Sequence, residues 1–288
     1  MRAPRCATHV AEAGPAPAHA VLPLLGARTV VLTGAGLSTD SGIPDYRGPG
    51  APVRAPMTYQ EFVGGAVAQQ RYWARAHVGW ARMGEALPNP GHRALAALER
   101  TGQVRFLITQ NVDGLHEQAG HLSMVALHGR ISEVVCLDCR GLTDRLTIQR
   151  RLTEANPGWL DRHGEAVARP DGDVELEHTD RFVVPGCEGC GGRLKPHVVF
   201  FGENVPKERV ERSYAALDSA DSLLVAGSSL TVMSGLRFVR YAAKAGLPVV
   251  IVNRGPTRGD DLATLKVEAG CSELLTALAT AHAPALLT

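Results

Sequence analysis

The stretch Thr29-Val-Val-Leu-Thr-Gly-Ala-Gly36 decides the fold. Its first five residues are apolar or β-branched, too few for a helix and without polar alternation, which suits a strand buried on both faces. The glycines that follow permit a tight turn and close approach of backbone to a pyrophosphate. Thr39 occupies the place of a third glycine, and no acid stands about twenty positions on to hold a ribose. The adenosine ribose is therefore expected to be held elsewhere, and Asn253, at the end of another apolar run, is a candidate.

Working outward, the same pattern recurs. Residues 104–109 end in Gln110-Asn-Val-Asp-Gly114, 222–226 in Gly227-Ser-Ser229, and 248–252 in Asn253-Arg-Gly255. Helical patterns lie between, at 92–100, 234–245 and a last helix that Ser272 is expected to cap. Strand and helix in alternation predict an α/β protein with a Rossmann-like, doubly wound parallel sheet. Ligands then sit at the carboxyl ends of the strands, and here that edge is four turns of Gly, Asn, Asp and Ser. Each alone reads equally well as a turn; the four together favour a site.

Two insertions interrupt the alternation. We read 1–20 as a disordered tail, 21–50, 92–130 and 195–285 as the Rossmann-like domain, 51–91 as a helical insertion with a helix around 61–83, and 131–194 as a metal-binding module. The tail is rich in Ala and Pro and shows no periodicity. It lacks the apolar core of a secretory signal, and 26 Arg against 4 Lys suggest a GC-rich bacterial gene, so a cytoplasmic protein is expected. A net charge of +1 gives no pull toward nucleic acid or an anionic membrane, and no apolar stretch is long enough to span a bilayer.

Four of the six cysteines form two Cys-x-x-Cys pairs, Cys136 with Cys139 and Cys187 with Cys190. Two such turns make a tetrahedral sulfur cage suited to Zn2+, closed and therefore structural. A redox role is the alternative, but a redox Cys-x-x-Cys usually occurs singly. The interval between the pairs carries an acidic stretch, 171–177, expected to loop outward. His128, in Leu127-His-Gly-Arg130, follows the apolar Met124-Val-Ala and immediately precedes this module, where an imidazole of ordinary pKa near 6.5 can take a proton at neutral pH.

Taken in order, GAGLSTDSGIPDYRG, TQNVDGLHEQAG, LHGR, the cysteine pairs, KPHVVFFGE, GSSL and VNRG resemble the sirtuin family, NAD-dependent protein-lysine deacylases, over about residues 28–280. RYWARAHVGW and GPTRGDDLATLK are similar to its class II branch, which includes a mitochondrial member. The resemblance implies a mobile loop over 37–54 that closes on NAD, with Asp45, Tyr46 and Arg47 at its tip and Tyr46 in place of the commoner Phe. It implies that Gln110, Asn111, Val112 and Asp113 hold the nicotinamide side, with Asn111 and Asp113 in the chemistry, and that His128 is the general base. Gly34, Ala35, Gly36 and Thr39, with Gly227, Ser228, Ser229, Asn253, Arg254, Gly255 and the backbone near Cys271, complete the cofactor contacts. Val198, Phe200, Gly202 and Glu203, opposite 232–235, would receive the acylated protein as an added strand. The implied products are nicotinamide, free lysine and O-acyl-ADP-ribose.

Tyr72 and Arg75 lie three apart, on one face of a helix. In the resembling family such a pair grips acidic acyl groups, for which Arg is suited; packing of the helix, with Tyr72 inside and Arg75 solvated, explains it equally well. Mono-ADP-ribosyl transfer and an NAD-sensing scaffold are the competing functions. A dehydrogenase is disfavoured by the missing ribose acid and the Asn-x-Asp turn.

Overall fold

The computed structural model describes residues 8–11, 15–46, 56–163, 174, 176 and 178–282. Among the described residues ten strands form two sheets. β1 (Thr8–Ala11), β2 (Thr29–Thr33), β3 (Val104–Thr109) and β4 (Met124–Ala126) belong to the large sheet. β5 (Gly129–Cys136), β6 (Leu142–Asp144) and β7 (Leu194–Val198) form the small one. β8 (Ser222–Ala226), β9 (Val249–Val252) and β10 (Leu265–Glu268) return to the large sheet, whose order is β1-β10-β9-β8-β2-β3-β4. Every pairing in it is parallel.

Buried apolar runs explain the layers. Val30 and Leu32 of β2 point to one face, into a core with Leu236, Phe238 and Val239. Val31 points to the other, into a core with Leu95, Leu98, Leu274 and Leu278. Helices cover both faces, as a doubly wound sheet requires. The helices are α1 (Pro15–Val21), α2 (Tyr59–Val63), α3 (Ala66–Met83), α4 (Pro90–Arg100), α5 (Leu115–Gln118), α6 (Arg145–Ala155), α7 (Trp159–His163), α8 (Lys207–Asp218), α9 (Met233–Lys244) and α10 (Cys271–His282), of which α2, α3, α6 and α7 pack in a separate core with the small sheet.

The chain runs from β2 outward to β3 and β4, and later from β8 outward to β9 and β10. The strand order thus reverses between β2 and β8, whose carboxyl ends are Gly34-Ala-Gly36 and Gly227-Ser228. Such a switch point leaves a crevice where a ligand can sit. The two turns interlock there: Gly36 N–H donates to the Gly227 carbonyl, 2.9 Å. Gly227 has φ +67°, and a Cβ on it would lie 2.4 Å from the Leu37 nitrogen.

The small sheet, order β6-β5-β7, is antiparallel. Leu127 and His128 alone connect β4 of the large sheet to β5 of the small one. The helical insertion is tied to the same region: Thr58 bridges Phe201, and Tyr59 N–H donates to the Phe201 carbonyl, 2.9 Å.

Three expectations are corrected. Residues 8–11 and 15–21 are ordered elements: β1 pairs with the edge strand β10, and Ala18 and Val21 of α1 are buried against α10 residues, so apolar side chains outweigh the Pro-rich composition. The helix around 61–83 is two helices, broken at Gly64-Gly65, which carry no side chain to pack. Ser272 is the second residue of α10, not its cap, and its hydroxyl donates to Asn89 Oδ1, 3.3 Å. Asn89 is itself the cap of α4, closing a capping box with His92. The acidic residues of 171–177 lie outside the described residues, but Val174 among them is fully buried in the small core.

Candidate active site and metal centre

A cavity of ≈ 1060 Å³ opens along the carboxyl edge of the large sheet. The turn after β2 contributes Gly34, Ala35 and Gly36; the turn after β8 contributes Gly227, Ser228 and Ser229; and the turn after β9 contributes Asn253, Arg254 and Gly255. Leu230, directly after the Gly-Ser-Ser turn, takes φ +55°, a left-handed backbone that a branched side chain adopts only under constraint. Asn253 donates from Nδ2 to the carbonyls of Arg254 (2.8 Å) and Gly255 (3.1 Å), which shapes its own turn.

The turn after β3 is the most tightly wired. Asn111 N–H donates to Thr109 Oγ1 (3.1 Å), and its Nδ2 donates to the Gly34 carbonyl (3.1 Å) and Ser38 Oγ (3.0 Å). Ser38 Oγ donates in turn to Asp113 Oδ2, 2.7 Å, while Leu115 N–H reaches Asp113 Oδ1, 2.9 Å. Burial raises the Asp113 pKa, and these two donors oppose it. Gln110 Nε2 donates to Ser228 Oγ, 2.8 Å, joining the β3 and β8 turns. Val112 also lines the cavity, and its carbonyl accepts from Ile131 N–H, 2.9 Å.

His128 sits at the cavity wall with both ring nitrogens engaged. Nδ1 lies 2.9 Å from the Gln110 carbonyl and Nε2 2.8 Å from Ser234 Oγ. A carbonyl only accepts, so Nδ1 carries the proton and Nε2 keeps its lone pair. Burial lowers the pKa from 6.5 to about 4; the Gln110 bond opposes it, and Arg209 and Arg237 add to it. The ring is therefore neutral at pH 7 for a stronger reason than its ordinary pKa.

Of the loop tip, Asp45 and Tyr46 line the cavity, with Tyr46 edge-on to Phe201 at 6.0 Å between centroids; Arg47 lies outside the described residues. The opposite wall carries Val198, Phe200, Gly202 and Glu203 facing Thr231 to Ser234. Glu203 is committed internally: it pairs with buried Lys195, 2.9 Å, and accepts from Phe200 N–H, 2.8 Å.

Three of the remaining expected residues, Thr39, Cys271 and Arg75, stand outside the cavity wall. Thr39 is exposed and donates from Oγ1 to the Gly36 carbonyl, 3.1 Å, bracing the turn rather than lining the cavity. Cys271 is buried at the start of α10, where burial pushes its thiol up to about 12. Tyr72 lines the cavity as part of an aromatic cluster, its ring 5.3 Å from Phe62 and 5.2 Å from Phe200. Arg75 is not in the cavity wall; its Nε donates to the Val174 carbonyl, 2.5 Å, because the small core packs over that side of α3. Both side chains thus have packing or hydrogen-bond partners around α3. Ser38 and Ser234 lie in stretches singled out from sequence, 37–54 and 232–235, but no individual role was assigned to them, since nothing distinguishes a serine in a polar loop or at a helix start until its partners are in place.

The paired cysteines converge. Cys136 and Cys190 sulfurs are 3.6 Å apart, Cys139 and Cys187 3.8 Å, and all four lie within 4.8 Å of one another. A Zn–S bond of about 2.3 Å gives tetrahedral edges of about 3.8 Å, so the tetrad fits zinc. Gly192 closes the second turn: a Cβ there would meet Cys136 Sγ at 3.0 Å.

Fold and site thus define a Rossmann-like α/β protein carrying a four-cysteine metal module. The family model described as "Sir2 family" matches residues 34–234, and the chain belongs to that family. It is 55% identical over 265 residues to "NAD-dependent protein deacetylase 1" of Mycobacterium avium (strain 104), covering 91% of this chain and 94% of that one. It is 55% identical over 252 residues to "NAD-dependent protein deacetylase" of Xanthomonas campestris pv. campestris (strain 8004), covering 86% and 85%. A solved structure described as "Sir2-p53 peptide-NAD+" superposes with TM-score 0.73 at 32% identity, covering 89% of this chain and 94% of that chain.

Proposed function

We propose that the protein is an NAD-dependent protein-lysine deacylase that releases nicotinamide and passes the acyl group to ADP-ribose. The observation that carries this reading is His128, neutral, held by the Gln110 carbonyl, with its acceptor nitrogen at the wall of a cavity on the strand-order switch. The cavity exceeds the roughly 300–1,000 Å³ of ordinary ligand pockets, leaving room for a dinucleotide and a lysine side chain together. Bound NAD supplies a ribose carbon that becomes electrophilic as nicotinamide departs and so accepts the acyl oxygen.

This chain's residues divide the remaining tasks. Gly34 to Gly36 and Gly227 to Ser229 lie where the pyrophosphate would rest, and Asn253 to Gly255 where the adenosine would. Gln110 to Asp113 hold the nicotinamide side, kept in place by Ser38. Asp45 and Tyr46 cover it and exclude water. His128 takes a proton at Nε2. Val198 to Glu203 and Thr231 to Ser234 flank the substrate peptide. The sulfur tetrad binds zinc away from the cavity, in a structural role.

The finer question is the acyl group. Tyr72, Phe200, Ile43 and Met57 give the cavity an apolar side, which suits acetyl and longer neutral chains; Arg75, engaged at Val174, supports an acidic preference only weakly. The deciding test is a peptide panel, acetyl to long-chain, succinyl and glutaryl, read by mass spectrometry with and without NAD. NAD-independent product, or ADP-ribosylated protein in place of O-acyl-ADP-ribose, would overturn the reading. Arg75→Ala should change all acyl groups alike; a loss confined to succinyl and glutaryl would restore the acidic preference. Among the described residues no helix is long and apolar enough to cross a membrane, and we place the enzyme in the cytoplasm.

A further inference from the structure

Ser234 stands between the base and the space its substrate must occupy. Its Oγ is 2.8 Å from His128 Nε2, and Ser234 itself lines the cavity. Nε2 is the acceptor, because Nδ1 already donates to the Gln110 carbonyl, so Ser234 is the donor. An imidazole nitrogen has one in-plane lone pair. While Ser234 fills it, a second hydroxyl cannot also donate to it. A sugar hydroxyl therefore has two routes: it displaces Ser234, or it donates to Ser234 Oγ, whose lone pairs remain available.

Resting on the deacylase reading above, we propose that Ser234 is a catalytic residue that relays the proton from the sugar hydroxyl to His128. The hydroxyl's O–H bond breaks and its proton goes to Ser234 Oγ. Ser234's own proton goes to His128 Nε2, so the serine ends with the proton count it began with. The imidazole becomes imidazolium, its charge held through Nδ1–H by the Gln110 carbonyl. The electron pair left on the sugar oxygen forms the new bond to the acyl carbon.

Two features of the fold serve this relay. Ser234 is the second residue of α9, a twelve-residue helix whose first residue is Met233. Negative charge accumulating on its oxygen during transfer is stabilised by the amino end of that helix. The neighbouring Gly235 is where the helix meets Gln110: a Cβ there would lie 2.5 Å from Gln110 Oε1. The residue that orients one ring nitrogen is thereby packed against the helix that supplies the partner of the other.

The test compares Ser234→Ala and Ser234→Thr with wild type. In the free protein, the 15N resonance of His128 Nε2 should move toward that of an unbonded imidazole nitrogen in Ser234→Ala and stay put in Ser234→Thr. In Ser234→Ala, kcat should fall about 10–100-fold, with KM for peptide and NAD within about twofold, and Ser234→Thr should recover most of it. Exchange of labelled nicotinamide into NAD precedes the base and should persist in Ser234→Ala. An Ala variant as fast as wild type or faster would mean that the sugar displaces the serine, and the relay fails. Exchange falling in step with kcat, or an unmoved Nε2 resonance, would also overturn it. Failure of the deacylase reading shows separately, as wild type giving no NAD-dependent product.

Discussion

At the scale of single residues, the site is built by side chains held from more than one side. Ser38 accepts from Asn111 and donates to Asp113; His128 donates at one nitrogen and accepts at the other. His128→Ala should lower kcat by about 10²–10⁴-fold while calorimetric NAD affinity stays near wild type. The pKa of about 4 sets the pH dependence. Only neutral imidazole accepts a proton, so as pH falls from 7 kcat/KM should stay level through the ordinary His range and decline only on approaching 4. A decline centred near 6.5 in the stably folded protein would show that burial does not hold the ring neutral. Sequence made His128, Asn111 and Asp113 legible, because their motifs are ordered and specific. It misplaced Thr39, which follows the cavity residue Ser38 in the chain while its own side chain turns to the Gly36 carbonyl; chain proximity carries no information on which way a side chain turns.

Elements succeed or fail on what they must pack against. The strands leading into Gly34, Gln110, Gly227 and Asn253 were readable from short, mostly apolar runs, since burial on both faces favours that composition; exposed Arg105 in β3 is the charged exception. The break at Gly64-Gly65 was not foreseen, because the apolar residues on either side share one period. Gly227→Ala combines a left-handed backbone with a Cβ driven into the Gly34–Leu37 turn. It should cost about 2–5 kcal/mol in chemical denaturation; a loss under 1 kcal/mol would mean that the two turns separate readily. In the small sheet, Cys187→Ser should leave the module unfolded, since structural zinc contributes folding free energy directly. A soluble variant melting cooperatively at the wild-type temperature would contradict that role.

For the whole molecule, buried histidines set the acid limit. Burial lowers His77, His92 and His128 each to about 4, and holds His116 well below its ordinary value. Their folded pKa values lie below the unfolded value near 6.5. Stability is thus fully present above pH 6.5, is lost as pH falls toward 4, and levels off once the folded rings also protonate. Denaturant midpoints should drop across that interval, and His77→Gln should make the drop shallower; an unchanged slope would remove His77 from the set.

The two-residue link Leu127-His128 makes one demand on the cell. The imidazole rides on the two-residue link between β4 of the large sheet and β5 of the small one, and the backbone carbonyl of His128 anchors Val199 beyond β7 at 2.8 Å. Loss of metal is then expected to act at a distance, because β5 runs from beside His128 to Cys136 in the sulfur cage. A chelated enzyme should go silent while still retaining its dinucleotide.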